Sequence, residues 1–456
     1  MTHHPDASRD HAVVIGGSLA GLFAARVLSD HYAHVTLLER DPVHDRPESR
    51  KGQPQTRHLH ALLAQGLHSI THLFPGIDQA LTGGGAVLAD MGEAMHWYHF
   101  GGYRTRFTSG LVGMMMSRPF LEWHVRRRVR ALPNVTLRAE HAARALATDA
   151  SRAAVLGVEV ADRRNGNTLR TLRADLVVDA TGRGSATPRW LAALGYPPPP
   201  ESEVTVRVGY ATRFYRRRPE ALPENEMMLI FSTPPAGKHL TALLPVEGGR
   251  WIVTNGGWCG DYPPGDEAGF LDFIRRMPRP DVYEILRQAE PLSEIVTHRF
   301  PSNLRRHYEK LNRFPARYLV LGDALASFNP IYGQGMTSAV LQAQALGAVL
   351  AAPQRGAQPL WRAFFRRAAQ VVEIPWQLAV GEDFRYPETE GPKPPFTDLL
   401  NRYVARVHRA THHDPVVYAQ FLRTMNLKTP PRSLLHPRIA WRVFRPRART
   451  DERAAS

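Results

Sequence analysis

The run HAVVIGGSLAG, His11 to Gly21, constrains this chain more than any other stretch. A short apolar segment, Val13 to Ile15, reaches a glycine turn that opens an apolar helix. This pattern predicts the strand–turn–helix start of a βαβ unit, whose helix N-terminus offers unpaired N–H groups to an anion. Gly16 permits the tight turn, and Gly21 lets helix and strand pack closely. The middle position of the G-x-G-x-x-G pattern holds Ser18, followed by Leu19 and Ala20. Serine is small enough for a pyrophosphate to approach, and its hydroxyl can bond a phosphate oxygen. The next strand, HVTLLER, ends at Glu39 and Arg40, with Glu39 placed 18 residues after Gly21. An acid at that position hydrogen-bonds a ribose diol.

These features predict a dinucleotide without saying which one. The stretch VLGDALASFNPIYGQGM narrows the choice. Asp323 ends a strand and can accept hydrogen bonds from a ribityl chain, which FAD has and NAD lacks. Pro330, Gly333, Gln334, Gly335 and Met336 then lead into a helix. Its N-terminus can face the pyrimidine edge of an isoalloxazine and stabilise the anion formed on reduction.

VVIGGSLAG with LLERD, DLVVDATGRGS and GDALASFNPIYGQGM together resemble the FAD-dependent monooxygenases of the p-hydroxybenzoate hydroxylase fold, over roughly residues 12 to 390. RKGQPQTRHLHALL is similar to a bacterial branch that includes flavin epoxidases of polyether biosynthesis. The resemblance implies that Gly16, Ser18, Gly21 and Glu39 hold the ADP half, Asp323 the ribityl chain, and Pro330 to Met336 the flavin. It implies a C4a-hydroperoxide of reduced FAD that epoxidises or hydroxylates a lipophilic small molecule. Such chemistry needs molecular oxygen and no protein nucleophile, so no catalytic residue is assigned. NADPH or NADH supplies the electrons, directly or through a separate flavin reductase. The second route stays open because the hydroxylases' GADG segment reads Asp179-Ala180-Thr181-Gly182 here, with Thr181 and Gly182 expected beside the cofactor. A histidine usual in those hydroxylases is replaced by Ala326. A reductase of isoprenoid double bonds and a non-catalytic lipid-binding flavoprotein are the alternatives. A flavin halogenase would carry W-x-W-x-I-P, which EIPWQL does not match.

The basic group Arg50, Lys51, Arg57, His58 and His60 has two readings: contact with pyrophosphate or flavin, or a solvated loop. Arg118, at the start of a helix capped by Ser117, can reach the flavin or solvent. H-x-H lacks a third ligand, and no metal is expected. The aromatic run Trp97, Tyr98, Phe100 and Tyr103, together with Trp251 and Trp258, either lines an apolar pocket or fills the core. IPWQLAVGEDFRYPETEG, with Trp376 and Asp383, is similar to the same epoxidase branch and is read as closing over the pocket. The tail LLHPRIAWRVFRPRAR reads as a solvated helix, with peripheral contact to a membrane as the alternative.

The expected class is α/β with an α+β second domain. A Rossmann-like FAD-binding domain is discontinuous over 11–85, 117–197 and 300–352. A β-sheet substrate domain spans 86–116 and 198–299, and a helical region 353–456. GYPPPPE marks a break, since proline runs continue neither regular element. The formal charge of +16 is carried almost wholly by arginine in short scattered clusters, so no nucleic-acid partner is expected. Cys259 is the only cysteine, the first residues are polar, and no apolar run reaches spanning length. The expected compartment is the cytoplasm.

Overall fold

The computed structural model describes residues 9–50, 52–352 and 358–445. Five parallel strands form its first sheet, in the order Tyr318–Val320, Leu176–Asp179, His11–Ile15, His34–Leu38 and Val135–Arg138. Tyr318–Val320, Leu176–Asp179 and His11–Ile15 carry unbroken apolar runs, as strands covered on both faces do, while Thr36 and the half-exposed Val135–Arg138 mark the other side of the sheet. Helices Leu19–Leu28 and Gly335–Ala351 pack on each other there, although they are far apart in the chain. The sheet therefore gathers strands from stretches of the chain as far apart as His11–Ile15 and Tyr318–Val320.

Register explains why the predicted site residues meet. Ile15 pairs with Leu38 and with Asp179, and Asp179 pairs with Val320. The glycine turn, Glu39, the Ala180–Gly182 segment and Asp323 thus all leave the sheet at its carboxyl edge. That edge is where open α/β sheets bind ligands.

A three-stranded antiparallel meander lies beside the parallel sheet. His141–Thr148, Val155–Asp162 and Thr168–Arg173 form it, while the flanking segments join the parallel sheet. Leu176–Asp179 is fully buried and apolar, which suits a central parallel strand better than a meander edge.

A second sheet has eight strands, ordered Ala326–Ser327, Val296–Arg306, Glu201–Arg216, Arg250–Gly257, His239–Val246, Met227–Phe231, Met95–His99 and Gly102–Tyr103. Strand alternation divides its residues between two faces. Trp251 and Val253 pack under helices Glu267–Arg275 and Asp281–Leu286, while Ile252 belongs to the cluster on the opposite face. Ala326–Ser327 ties the sheet's end to the Asp323 loop. Leu360–Asp383 packs on Gly335–Ala351 in the core of the parallel-sheet part, while Thr397–Ala410, Pro415–Met425 and Pro437–Phe444 form a helical layer on the opposite side of the second sheet. No helix among the described residues is long and apolar enough to cross a membrane.

Candidate active site

A cavity of about 1910 Å³ runs from the carboxyl edge of the parallel sheet to the face of the eight-stranded sheet. Single small ligands occupy roughly 300–1,000 Å³, so this space suits a dinucleotide with a substrate beside it. Gly16, Ser18, Leu19, Ala20, Glu39 and Arg40 line one end, as do Arg118, Thr181, Gly182 and Asp323. Pro330, Gly333, Gly335 and Met336 line its middle.

The glycines act through close approach. Gly16 has φ +106°, and a Cβ there would stand 2.6 Å from the Ala180 carbonyl oxygen. Gly21 lies off the cavity, where a Cβ would stand 1.7 Å from the Gly16 carbonyl oxygen. The helix that follows has no side-chain cap and no acid in its first turn. Its leading N–H groups therefore remain suited to a pyrophosphate. The Ser18 hydroxyl donates to Glu122 Oε2 at 3.2 Å and accepts from Arg118 Nη2 at 3.3 Å.

Glu39 is held firmly. Its carboxylate accepts the Gly17 N–H at 3.1 Å and the Asp41 N–H at 2.9 Å, and pairs with Arg50 at 2.7 Å. Arg50 also pairs with Glu122 at 2.7 Å and bonds the Gly17 carbonyl. Two buried carboxylates thus hold Arg50 behind the turn, and its side chain does not line the cavity. Lys51 lies outside the described residues. Glu122, absent from the sequence expectations, is the hub: Arg50, Arg118 and Arg126 all pair with it. Its signal was the Arg118–Glu122–Arg126 spacing on one helix face.

Asp323 follows Gly322, whose N–H donates to Gln342 Oε1 at 2.8 Å and fixes the strand end. The Asp323 side chain opens on the cavity, and burial in the fold raises its carboxyl against the pull of Arg118 and Arg183. Asp179 anchors the Thr181–Gly182 turn, accepting from the Thr181 N–H at 2.9 Å and from Ser185 and Thr187 at 2.5 Å. The helix after Gln334 again has no acid in its first turn and no side-chain cap, as an anionic ring edge requires. An uncapped helix start, a glycine cradle and the Asp323 carboxylate fit the pyrophosphate and ribityl chain of FAD.

Residues 10–364 match the family described as FAD binding domain. The chain belongs to this family. It is an FAD-dependent oxidoreductase, and NADPH or NADH is the family's typical donor. Protein Rv3254 of Mycobacterium tuberculosis (strain ATCC 25618 / H37Rv) is 34% identical over 448 residues, covering 94% of this chain and 91% of that protein. The flavin-dependent brominase Bmp2 matches with TM-score 0.64 and 12% identity, over 91% of this chain and 93% of its own. PqsL, a probable FAD-dependent monooxygenase from Pseudomonas aeruginosa, matches with TM-score 0.59 and 19% identity, over 82% and 98%. These structural likenesses show the shared fold of p-hydroxybenzoate hydroxylase-type flavoproteins.

Beyond the FAD end, the cavity of this FAD-binding family member becomes apolar. Trp97 and Trp258 line it, with Phe231, Leu240 and Phe421. Tyr98, Phe100, Tyr103 and Trp251 do not, and pack elsewhere. His58 and His60 border the cavity, and Arg57 does not. Burial pushes His58 down to about 4 and His60 to about 3, so both rings are neutral near pH 7. His58 Nδ1 meets Thr212 Oγ1 at 2.8 Å.

The loop Asn329–Gln334 is pinned from behind. Gln334 does not line the cavity, and its amide donates to the Met425 carbonyl at 3.4 Å. Asn329 and Tyr332 donate to Asp383 Oδ1 at 3.0 and 2.8 Å, and Asn303 to Oδ2 at 2.7 Å. Trp376 reaches the cavity from the same helix, whereas Asp383 stays behind the loop.

Proposed function

We propose that this flavoprotein is a monooxygenase that inserts one oxygen atom into a lipophilic small molecule, by epoxidation or hydroxylation. The observation that carries the reading is the continuity of the FAD end with an apolar chamber walled by Trp97, Phe231, Leu240 and Trp258. When bound and reduced by NADPH or NADH, directly or through a separate reductase, FAD supplies the oxygen activation. The start of helix Leu19–Leu28, with Ser18 and Arg118, would hold the pyrophosphate. Glu39 would hold the ribose, Asp323 the ribityl chain, and the Pro330–Met336 loop the ring system. The aromatic chamber orients the substrate and excludes water, which both favours reaction geometry and suppresses wasteful side reactions. The neutral His58 keeps charge out of that chamber.

The likeness of RKGQPQTRHLHALL to flavin epoxidases supports an alkene substrate in secondary metabolism, and the single cysteine suits the cytoplasm as its compartment. We divide the chain as the sequence suggests, into an FAD part (11–85, 117–197, 300–352), a substrate part (86–116, 198–299) and a helical part from 353. The strand Val296–Arg306 runs unbroken across the boundary at 300.

The test is turnover of lipophilic alkenes and phenols by FAD-loaded protein with a nicotinamide donor, with or without an added reductase, under labelled oxygen. One labelled oxygen atom in an epoxide or phenol is expected. Anaerobic saturation of a double bond, or a halide-dependent product lacking label, would overturn the proposal.

A further inference from the structure

Exposed apolar side chains mean little singly and much in clusters. Among the described residues, six of the ten large apolar side chains open to solvent fall between 396 and 444. They are Phe396, Leu399, Leu400, Leu435, Trp441 and Phe444, with Phe396 81% exposed and Trp441 61% exposed. All but Trp441 also border the large cavity, so they form its rim. Helices Thr397–Ala410 and Pro437–Phe444 touch there, with the Tyr403 and Phe444 rings 5.9 Å apart. Phe396 sits at φ +62° directly after Pro394 and Pro395, on a turn that holds the ring outward.

The charge around this rim has one sign. Residues 396–445 carry nine arginines and lysines against two acids, Asp398 and Asp414. Both acids are paired, with Lys393 and Arg442. Arg402, Arg406, Arg409, Arg438 and Arg445 are exposed. Arg406 lies over the Phe444 ring at 4.9 Å, and Arg445 over Trp441 at 5.2 Å. Cations interleaved with exposed Trp, Phe and Leu on amphipathic helices suit the boundary between headgroups and acyl chains of an anionic bilayer. A soluble acidic protein would match the arginines but would not need an apolar rim that leads into an apolar cavity.

We propose that the cavity mouth docks peripherally on an anionic lipid bilayer, so that an apolar substrate passes from the acyl-chain region directly into the chamber. The substrate half of this inference rests on the proposed monooxygenase reading, while the docking half does not.

Sedimentation of FAD-loaded protein with vesicles tests the docking without any turnover. Vesicles of phosphatidylglycerol and phosphatidylcholine should carry the protein down, and phosphatidylcholine alone should bind on the order of tenfold less. Added salt should weaken the binding. Trp441→Glu with Arg406→Glu should lose it while keeping the bound-flavin spectrum, since both side chains are exposed. Three results would overturn the proposal. These are no sedimentation of the wild type with the anionic vesicles, undiminished binding by the variant, or a wild-type dimer that the variant converts to monomer.

Discussion

Ser18 replaces the middle glycine of the fingerprint, and its hydroxyl links Arg118 to Glu122. Ser18→Gly should forfeit two hydrogen bonds worth about 0.5–1.5 kcal/mol each, at a position where glycine is a tolerable helix cap. The expected result is a melting temperature lower by several degrees with FAD retained. Thermal melts and a flavin fluorescence titration check this, and total loss of FAD would refute it. Gly21→Ala should behave differently, because its Cβ would stand 1.7 Å from a carbonyl oxygen that cannot move without opening the turn. A cost of about 3 kcal/mol and loss of FAD are expected. The glycines were legible because a backbone demand selects the residue type directly. For Arg50 two readings stay open in the sequence, because a cation beside an anion site can serve phosphate or carboxylate alike, and the Arg118–Glu122–Arg126 spacing does not point to a partner 72 residues away. Glu122→Ala should leave buried Arg50 and Arg126 short of a partner, costing about 3–5 kcal/mol. An unchanged urea midpoint would contradict that role.

The loop Asn329–Tyr332 is held by a residue more than fifty positions onward, Asp383 at the end of helix Leu360–Asp383. Desolvation outweighs the donors around Asp383 and pushes its carboxyl up to about 6. A carboxyl raised in the folded state binds its proton more tightly there than in the unfolded chain. Its contribution is therefore fully present below the ordinary value of 3.8 and is lost as pH rises through about 6. The whole effect is on the order of 3 kcal/mol. Asp383→Asn removes that slope and places an amide against other amides, so its loss of stability relative to wild type should be larger at pH 4 than at pH 7. Parallel melts of the two proteins decide it, and a difference independent of pH would sink the argument. The sequence flagged Asp383 only through a resemblance, as part of a covering segment. Its structural reason, donors from a strand, a loop and a helix, is a tertiary fact. Parallel strands were legible because burial on both faces leaves unbroken apolar runs. The eight-stranded sheet was legible as strands but not as faces. Alternation separates Trp251 from Ile252, yet only the packing of helices Glu267–Arg275 and Asp281–Leu286 decides which face is left for the cavity.

Across the whole molecule, neutral histidines sit along the length of the cavity. His58 and His60 lie towards the flavin end, and His408 in the helical layer is pushed down to about 3 by burial and by Arg104, against Glu382. Each has a folded value below the ordinary 6.5, so each stabilises the fold fully above that pH. That stability is lost as pH falls from about 6.5 towards 4, when the unfolded chain takes up protons that the folded one refuses. The slope is at most about 1.4 kcal/mol per pH unit for each histidine. Asp383 and Asp323 work in the opposite direction, but they are two carboxyls against five cavity-side histidines, since His99 and His298 are also held low by burial. The melting temperature should therefore hold steady from pH 8 to 7 and fall from about pH 6.5 downward. FAD should be released over the same range, because its site is built from the chain segments that separate on unfolding. Excess FAD at about a hundred times its dissociation constant adds roughly 2.7 kcal/mol to the native state, and should move the acid transition to lower pH. Melts and flavin fluorescence across this range, with and without added FAD, measure both effects. A melting temperature that stays flat down to pH 5 would mean that the histidines are not held neutral, and the dry chamber assigned to the substrate would lose its main electrostatic support.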